Sequence, residues 1–405
     1  MADAISKNAP MNRWFALGWI AIAELFALSM WFSASAILPQ LEKEWGMSAV
    51  EGSWITLAVQ IGFIVGAIIS AFLGLADRFN VKKLFALACI IGALVNGLFI
   101  LSPCITYGVL FRFLTGITMA GVYPTAVKLL SLWFPNKRGL GTGILVAALT
   151  LGSSLPHLLV LFTSNVNWKI IMIISSVLAL LAAGIMQWVL PEAPAQPKRA
   201  GAISRDTLKK VIRNRRVMLV NCGYFGHMWE LYAMWTWLPY FLTASFRSTL
   251  QGTSLQEMST LLSFLTIGIA GAIGCIVGGI FAEKIGKVRL SMLAMAISAA
   301  CCLIIGFTFE YFWLTVIVSL IWGMSVIADS GQFSAAVTEF AESEYVGTAL
   351  TFQMAIGFLL TTISIYIIPV FVTVIGWQWV FLILAIGPFV GIVAMNFLRR
   401  EEQFG

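Results

Sequence analysis

Long apolar runs recur along the whole chain, and they constrain its fold more than any other feature of the sequence. An α-helix needs about 20 mainly apolar residues to cross a bilayer. We count twelve such runs among the 405 residues, at 14–38, 52–75, 82–102, 106–133, 140–163, 168–190, 217–243, 259–282, 288–309, 312–338, 347–371 and 375–398. The sequence therefore predicts an all-α membrane protein with twelve spanning helices, which we number 1 to 12.

The composition agrees with a membrane protein and argues against an enzyme. Hydrophobic residues make up 60% of the chain and charged residues 11%, whereas about 25% of the residues of a soluble protein are charged. None of the six cysteines forms a CxxC pair, so we predict no disulfide framework and no metal site. The HExxH, GxSxG and nucleotide-loop motifs are absent from the sequence. We therefore expect no enzymatic activity, no cofactor and no use of ATP.

A polar stretch divides the twelve runs into two sets of six. Residues 191–216 form the longest polar segment between runs. We predict an N-terminal six-helix bundle at 1–190, a cytoplasmic linker loop at 191–216 and a C-terminal six-helix bundle at 217–405. A division into two equal sets indicates an internal duplication.

The two halves also repeat short segments of sequence. GLADRFNVKKL (74–84) between helices 2 and 3 has a counterpart in GIFAEKIGKVRL (279–290) between helices 8 and 9. GVYPTAVKLL (121–130) in helix 4 resembles GQFSAAVTEF (331–340) in helix 10. Parallel repeats of this kind place a substrate site between the halves, near the middle of the bilayer.

Basic residues indicate which side of the membrane each loop occupies. Lys and Arg accumulate on the cytoplasmic side. With the N-terminus inside, 20 of the 25 basic residues fall on the two tails and the cytoplasmic loops. We expect a multi-pass protein of the plasma membrane (the inner membrane of a bacterium) with both termini cytoplasmic. The net charge of +7 follows from this arrangement, and we expect no nucleic-acid partner.

Three motifs indicate a family. GIFAEKIGKVR resembles the loop signature of the major facilitator superfamily, Gly-x-x-(Ala)-acid-base-x-Gly-base-x-base. The first copy, LADRFNVKK, keeps the acid-base pair, with Asn80 where glycine is usual. RFLTGITMAG (112–121) is similar to the helix 4 motif of the same superfamily, Arg-x-x-x-Gly. The resemblance covers nearly the whole chain. It implies two six-helix bundles related by a pseudo-two-fold axis around a central cavity.

The same resemblance implies a latch between the halves on the cytoplasmic side. Asp77 would face the start of helix 11, and Glu283 the start of helix 5. An acid there can accept hydrogen bonds from the free N–H groups of a helix N-terminus. We expect these acids and their neighbours Arg78 and Lys284 to form the latch. The alternative is that the basic residues of these loops only anchor the topology.

Ionisable residues at bilayer depth are costly and mark function by default. They lie in helices 1, 4, 7 and 10, the set that lines the cavity in the superfamily that the chain resembles: Glu24, Arg112, His227, Glu230 and Asp329. We predict that Glu24, Arg112, Glu230 and Asp329 couple transport to protons.

Glu24 and Arg112 form the first predicted pair. Glu24 lies about 16 Å along helix 1 from Arg13, near the middle of the membrane. A guanidinium that approaches or leaves a buried carboxyl group changes the affinity of that group for a proton. The resemblance implies the same role, since several branches of the superfamily use such a pair. A static ion pair that fixes helix packing is the alternative.

A polar and aromatic stripe follows one face of helix 7. His227, Glu230, Met234 and Trp237 are spaced i, i+3, i+7 and i+10. We interpret this stripe as a wall of the cavity, and an aromatic belt at the membrane surface is the alternative for its tryptophan. The full set of predicted substrate contacts is Tyr123, His157, His227, Glu230, Trp237, Gln332 and Gln353.

Two further patterns predict local structure. The glycine pairs Gly62/Gly66 and Gly274/Gly278 have the GxxxG spacing that allows close helix packing. The small, polar run SGQFS at 330–334 predicts an irregular segment of helix 10 beside the cavity.

These observations favour a proton-coupled secondary transporter of a small organic solute with an anionic or aromatic portion, working by alternating access. We expect a monomer whose partners are the solute, protons and the lipid bilayer. A proton-coupled exporter of many drugs or lipophilic cations is the alternative, because acids and aromatic rings also bind cations. Lipid transport, proton-independent diffusion and a sensor that keeps the fold also stay open, as does the direction of transport.

Overall fold

The computed structural model describes residues 13–134, 139–162, 167–193, 205–249, 255–342 and 345–404. Within these residues, nine helical runs are long and apolar enough to cross a membrane. One of them, Val346–Glu401, contains both helix 11 and helix 12, which are separated by a break at Gly376. The two other predicted spans correspond to a short helix, Arg13–Leu28, and a more polar one, Arg215–Thr249. The predicted all-α architecture is confirmed.

The first half contains helices 1 to 6. Helix 2 packs against helix 4, helix 3 against helices 4 and 6, and helix 1 against helices 5 and 6. Short helices at Leu38–Trp45 and Leu75–Arg78 connect helices 1, 2 and 3. The membrane helices comprise Arg13–Leu28 and Ser33–Ala36 (helix 1), Ala49–Leu73 (2), Val81–Leu98 and Phe99–Leu101 (3), Ile105–Met119 and Tyr123–Trp133 (4), Gly139–Phe162 (5), and Lys169–Gly184 and Ile185–Val189 (6).

The second half contains helices 7 to 12. Helix 7 packs against helices 11 and 12, helix 8 against helix 10, and helix 9 against helices 10 and 12. A short helix at Arg205–Arg213 lies in the predicted linker. The membrane helices comprise Arg215–Thr249 (helix 7), Leu255–Phe264, Leu265–Ala270 and Gly271–Ile285 (8), Lys287–Ile304 (9), Phe312–Ile327 and Ser330–Phe340 (10), Val346–Trp379 (11), and Val380–Ala385 and Ile386–Phe404 (12). The boundaries that we predicted for the two bundles and the linker stay predictions.

Glycines permit the closest helix contacts in both halves. An added Cβ atom at Gly62 would lie 2.0 Å from the carbonyl oxygen of Phe113, so helix 2 touches the backbone of helix 4 there. In the second half, a Cβ atom at Gly274 would lie 2.0 Å from the carbonyl oxygen of Met324 in helix 10. Side chains larger than hydrogen do not fit at these crossings. The predicted role of these glycines in close packing is confirmed.

The two halves meet along helices 2 and 11 and along helices 5 and 8. We call the end that carries residues 74–80 and 286 the basic end. There, helix 5 passes so close to helix 8 that a Cβ atom at Gly143 would lie 2.9 Å from the carbonyl oxygen of Cys275. At the opposite end, Tyr240 in helix 7 donates a hydrogen bond of 3.0 Å to Glu42, which lies between helices 1 and 2. The two halves are therefore in contact toward both ends of the interface.

Candidate functional site

A small cavity lies between the two halves. Its volume is about 30 Å³, which gives room for about two water molecules. Helices 1, 2, 4 and 5 contribute to its wall from one half, and helices 7, 10 and 11 from the other. Six wall residues are aromatic, namely Trp31, Phe63, Tyr123, Tyr224, Tyr232 and Phe358. Ser330 and Ser334 add two hydroxyl groups.

Aromatic rings close the cavity by direct contact across the interface. The rings of Phe63 in helix 2 and Phe358 in helix 11 have centroids 4.5 Å apart. Trp31 in helix 1 lies 5.7 Å from Phe358 and 5.9 Å from Tyr232 in helix 7. Aromatic pairs at these separations attract one another beyond simple area burial. The wall is thus a set of aromatic rings that contact one another across the interface.

Breaks in three helices position polar groups beside this wall. Helix 1 is interrupted between Leu28 and Ser33, helix 4 between Met119 and Tyr123, and helix 10 between Ile327 and Ser330. Irregular backbone at membrane depth is tolerated where it is buried in protein or lines a cavity. Helix 10 is interrupted, but at residues 328 and 329, just before the run 330–334 that we predicted to be irregular and that is helical. The breaks in helices 1 and 4 were not predicted.

Arg112 does not pair with Glu24, so the contact that we predicted is wrong for this conformation. Arg112 donates hydrogen bonds to Asn96 at 2.9 Å, to Ser33 at 3.2 Å and to the carbonyl oxygen of Trp31. The break in helix 1 turns that carbonyl toward the guanidinium, which explains the change of partner. Glu24 is fully buried, and no described residue hydrogen-bonds to either of its carboxyl oxygens. The role of both residues in proton coupling stays a prediction.

Glu230 points into the second half, so the prediction that it lines the cavity is wrong. Its Oε1 accepts hydrogen bonds from Ser298 Oγ at 2.5 Å, Cys302 Sγ at 3.1 Å and Trp322 Nε1 at 2.5 Å. These donors belong to helices 9 and 10 and satisfy a carboxyl group that would otherwise be buried without partners. Helix 7 faces the cavity with another set of side chains, Tyr224, Met228, Leu231 and Tyr232.

His227 and Trp237, on the same stripe as Glu230, also contact neighbours within the second half. His227 Nδ1 lies 3.0 Å from Asp329 Oδ1, and both side chains are buried. Trp237 donates a 2.9 Å hydrogen bond to the carbonyl oxygen of Ile365. Neither His227 nor Trp237 borders the cavity. Their side chains point instead toward polar groups at helices 10 and 11. Their predicted place on its wall is therefore wrong, and proton coupling by Asp329 stays a prediction.

The other predicted substrate contacts divide into three groups. Tyr123 borders the cavity, as predicted. Gln353 lies one layer behind the wall, where its Oε1 accepts a 3.3 Å hydrogen bond from the wall residue Ser334. His157 and Gln332 are buried outside the wall. Of the predicted substrate contacts, Tyr123 is therefore the one that borders this cavity.

The predicted latch falls partly on residues that the structure leaves undescribed. The side chain of Asp77 and residues 135–138, which precede helix 5, lie outside the described residues. Arg78, Glu283 and Lys284 are exposed at the basic end. The contacts of Asp77 with helix 11 and of Glu283 with helix 5 stay predictions.

Sequence reasoning missed most of the aromatic wall. Tyr224, Met228 and Leu231 are spaced i, i+4 and i+7 and form a second face of helix 7 that is as regular as the polar stripe. Because we chose the more polar face of helix 7 as the cavity wall, we chose the face that does not border the cavity. Trp31 lies in the break of helix 1, where the preceding Ser29 is a weak signal of irregular backbone.

Comparisons with known proteins agree with this architecture. Residues 20–365 match the Major Facilitator Superfamily. The chain is 28% identical over 300 residues to the Niacin transporter NiaP of Acinetobacter baylyi, a match that covers 62% of this chain and 65% of that protein. It is 24% identical over 357 residues to the Gallate transporter of Pseudomonas putida, covering 79% of this chain and 77% of that protein. The chain therefore spans just under two thirds of the niacin transporter's length.

A solved structure shows the same fold. The crystal structure of a bacterial homologue of the human lysosomal transporter Spinster matches with a TM-score of 0.73 at 13% identity, covering 96% of this chain and 97% of that chain. Members of the matched family are transporters, so the prediction that the chain is no enzyme is confirmed. The loop signatures, the helical halves and the cavity between them have one explanation: the chain belongs to the Major Facilitator Superfamily.

Proposed function

We propose that this protein is a proton-coupled secondary transporter that carries a small aromatic carboxylate by alternating access in the plasma membrane. The aromatic cavity between the halves is the observation that carries the proposal. Its rings offer faces and edges to a planar ring of the solute. The hydroxyl groups of Tyr123 and Ser330 can donate hydrogen bonds to a carboxylate.

The described residues of the wall carry no formal charge, so hydroxyl donors and the relatives, and not a basic side chain, support an anionic solute. None of the described residues that line the cavity is acidic, whereas a site for lipophilic cations gains from a carboxylate. The niacin and gallate transporters share sequence with this chain. Niacin and gallate are both aromatic rings that bear one carboxylate group. Aromatic carboxylates therefore suit the aromatic wall and are also the class that includes niacin and gallate.

The size of the cavity supports alternating access. A volume of about 30 Å³ has no room for a ring with a carboxylate. The two halves must therefore move apart to admit a solute and close again around it. Tyr240 and Glu42 form the contact that breaks at one end, and helices 5 and 8 separate at the other. Each end then opens in turn while the other stays shut.

Glu24 is the proposed proton carrier. An ionised carboxylate that is buried without hydrogen-bond donors costs several kcal/mol, and a proton removes most of that cost. Arg112 now binds the carbonyl oxygen of Trp31. We propose that Arg112 turns to Glu24 when the aromatic rings part, and that Glu24 then releases its proton. Glu230 keeps its three donors and stabilises the second half.

Uptake into liposomes tests the proposed substrate class. We expect the purified protein to accumulate nicotinate or gallate when a pH gradient is applied. Phe358→Leu should raise the half-saturation concentration by about fivefold, because a ring contact is worth about 1 kcal/mol. Phe352→Leu is the matched control, since Phe352 lies on the same helix but off the wall.

Other results would point elsewhere. Transport of tetraphenylphosphonium but not of aromatic carboxylates would support the alternative exporter of lipophilic cations. Equal effects of Phe358→Leu and Phe352→Leu would contradict the assignment of the site. Accumulation that ignores the pH gradient would contradict proton coupling while leaving the solute class intact.

A further inference from the structure

A second pocket lies at the basic end of the second half, away from the central cavity. Its volume is about 330 Å³. It forms where helix 8 ends at Ile285 and helix 9 begins at Lys287, with helices 10 and 12 alongside. Three basic side chains line it, Lys287, Arg289 and Arg399, together with one acid, Glu339. Three cations and one carboxylate leave two positive charges uncompensated.

The ion pairs of this pocket show which charges lack a partner. Lys287 Nζ lies 2.6 Å from Glu339 Oε2. In the described part of the chain, neither Arg289 nor Arg399 lies within ion-pair distance of an acid. Arg399 donates one hydrogen bond of 2.9 Å to Asn396 of its own helix, and its Nε is buried without an acceptor. A buried donor without an acceptor is costly, so the guanidinium of Arg399 is suited to an anionic partner.

The backbone at the start of helix 9 adds further hydrogen-bond donors to the pocket. Gly286 precedes the helix with a φ of 88° and has no side chain to cap it. Leu290 is the first residue whose N–H is bonded back to Gly286, at 3.1 Å. The N-terminal turn therefore offers free N–H groups and the positive end of the helix dipole to the same pocket.

In the first half, a carboxylate of the chain lies beside the start of helix 3. Asn80, which lies 206 residues before Gly286, caps helix 3 by accepting a 3.2 Å hydrogen bond from the N–H of Lys83. Glu192, at the end of helix 6, accepts a 3.1 Å hydrogen bond from Asn80 and lies 3.5 Å from Lys82 Nζ. In the second half, Arg399 near the end of helix 12 borders the start of helix 9. A carboxylate therefore lies beside the start of helix 3 in the first half, and an arginine lies beside the start of helix 9 in the second.

We propose that this pocket binds a phosphate group, presented by an anionic phospholipid. A phosphate oxyanion has several acceptor oxygens, which match the forked donors of Arg289 and Arg399 and the free N–H groups of helix 9. Exposed apolar side chains flank the pocket, with Phe281 47% and Ile285 36% exposed. Acyl chains therefore find an apolar surface beside the charged site. Basic pockets between membrane helices bind anionic headgroups in this way.

Lipid titration of the full-length protein in detergent tests the site. Native mass spectrometry and melting temperature would be followed with phosphatidylglycerol, phosphatidylcholine and inorganic phosphate. We expect phosphatidylglycerol to bind and to raise the melting temperature. Arg399→Glu should weaken this binding by about tenfold or more, because a charge-assisted hydrogen bond is lost. Arg400→Glu is the matched control, because Arg400 is the next residue along the chain and its exposed side chain lies outside the pocket. The affinity of this variant for phosphatidylglycerol should stay within about twofold of the wild-type value.

A second variant keeps the test decisive if Arg399→Glu does not fold. Arg289→Gln changes an exposed side chain of the pocket and should weaken binding in the same direction. Stabilisation by inorganic phosphate as strong as that by phosphatidylglycerol would support the anion site and overturn its lipid source. Equal binding to wild type, Arg399→Glu and Arg289→Gln would overturn the site itself, as would equal losses in Arg399→Glu and Arg400→Glu.

Discussion

Each half buries a glutamate in its first helix, and the two glutamates have opposite surroundings. Glu24 lies in helix 1 and Glu230 in helix 7. No described residue hydrogen-bonds to the carboxyl group of Glu24. Glu230 accepts three hydrogen bonds from helices 9 and 10. The difference therefore lies in the neighbouring helices, which give three donors to one acid and none to the other.

Helix continuity accounts for much of this difference. Helix 7 runs unbroken from Arg215 to Thr249, and Trp322 of helix 10 reaches Glu230 directly. Arg112 precedes Trp322 by 210 residues, the offset that aligns helices 4 and 10. Helix 1 is broken, so Arg112 binds the carbonyl oxygen of Trp31 there instead of Glu24. One half has a fixed acid, and the other has an acid whose basic partner is engaged elsewhere.

The largest expected effect is on coupling, and it separates the two acids. Two pH units can drive about 100-fold accumulation through one coupled proton, since each unit is worth a factor of ten. Glu24→Gln should abolish this accumulation and spare solute exchange, because the proton carrier is lost while the cavity stays intact. Uptake and counterflow in liposomes measure both activities. Accumulation that persists in Glu24→Gln would exclude Glu24 as the carrier, and Glu230→Gln serves as the matched variant.

For the free energy of unfolding, we expect the larger effect from a change at Glu230 and the smaller one from a change at Glu24. Glu230→Leu leaves Ser298 and Trp322 with buried donors and no acceptor, which lowers the free energy of unfolding by about 2–4 kcal/mol. Glu24→Leu removes no hydrogen bond within the described chain, and its cost should stay within about 1 kcal/mol. Denaturant unfolding in detergent measures both. Equal losses for the two variants would contradict the contrast between a fixed acid and an unengaged one.

A smaller effect isolates one of the donors to Glu230. Trp322→Phe should cost about 1.5 kcal/mol more than Trp235→Phe, because the bond from Trp322 to a carboxyl group is lost. The Nε1 of Trp235 has no acceptor among the described side chains and backbone, so that variant controls for the change in volume. Melting temperatures of the two purified variants provide the measurement. A larger loss in Trp235→Phe would mean that packing, and not the hydrogen bond, fixes Glu230.

The smallest effect concerns the contact between the halves. Glu42 lies between helices 1 and 2, and burial raises its pKa from the ordinary value of 4.5, while the hydrogen bond from Tyr240 partly opposes that change. The closed end therefore binds a proton more tightly than the open end does. Acidification should favour closure, and this gain is lost as the pH rises through the raised pKa. Spin labels at Lys43→Cys and Arg247→Cys report the distance across this end.

A neutral variant gives the control for that measurement. Glu42→Gln keeps an acceptor for Tyr240 and has no charge to bury, so the end should stay closed at every pH between 4 and 8. The same distance change with pH in Glu42→Gln and in the wild type would assign the response to another group.

The sequence predicted the parts of this molecule that depend on local pattern. Apolar runs of about 20 residues determine the helices, and the GxxxG spacing of Gly62 and Gly274 predicted close helix packing, without naming helices 4 and 10 as the partners. The inward face of helix 7 depends instead on its rotation against helices 10, 11 and 12. Those long-range contacts turned Glu230 toward Trp322 and left Tyr232 at the cavity, and no periodicity within helix 7 contains that information.

The glycine crossings have a mechanical consequence. At Gly62 and Gly274, backbone meets backbone, and no side chain is available there to repack or absorb a displacement. We therefore expect helices 2 and 4 to move as one rigid unit, and helices 8 and 10 as another. Helices 2 and 8 also touch the opposite half. We therefore expect a shift of helix 2 at the interface to move helix 4 and Arg112, and a shift of helix 8 to move helix 10 and the neighbouring Asp329. Opening of the interface would then displace the buried charged residues.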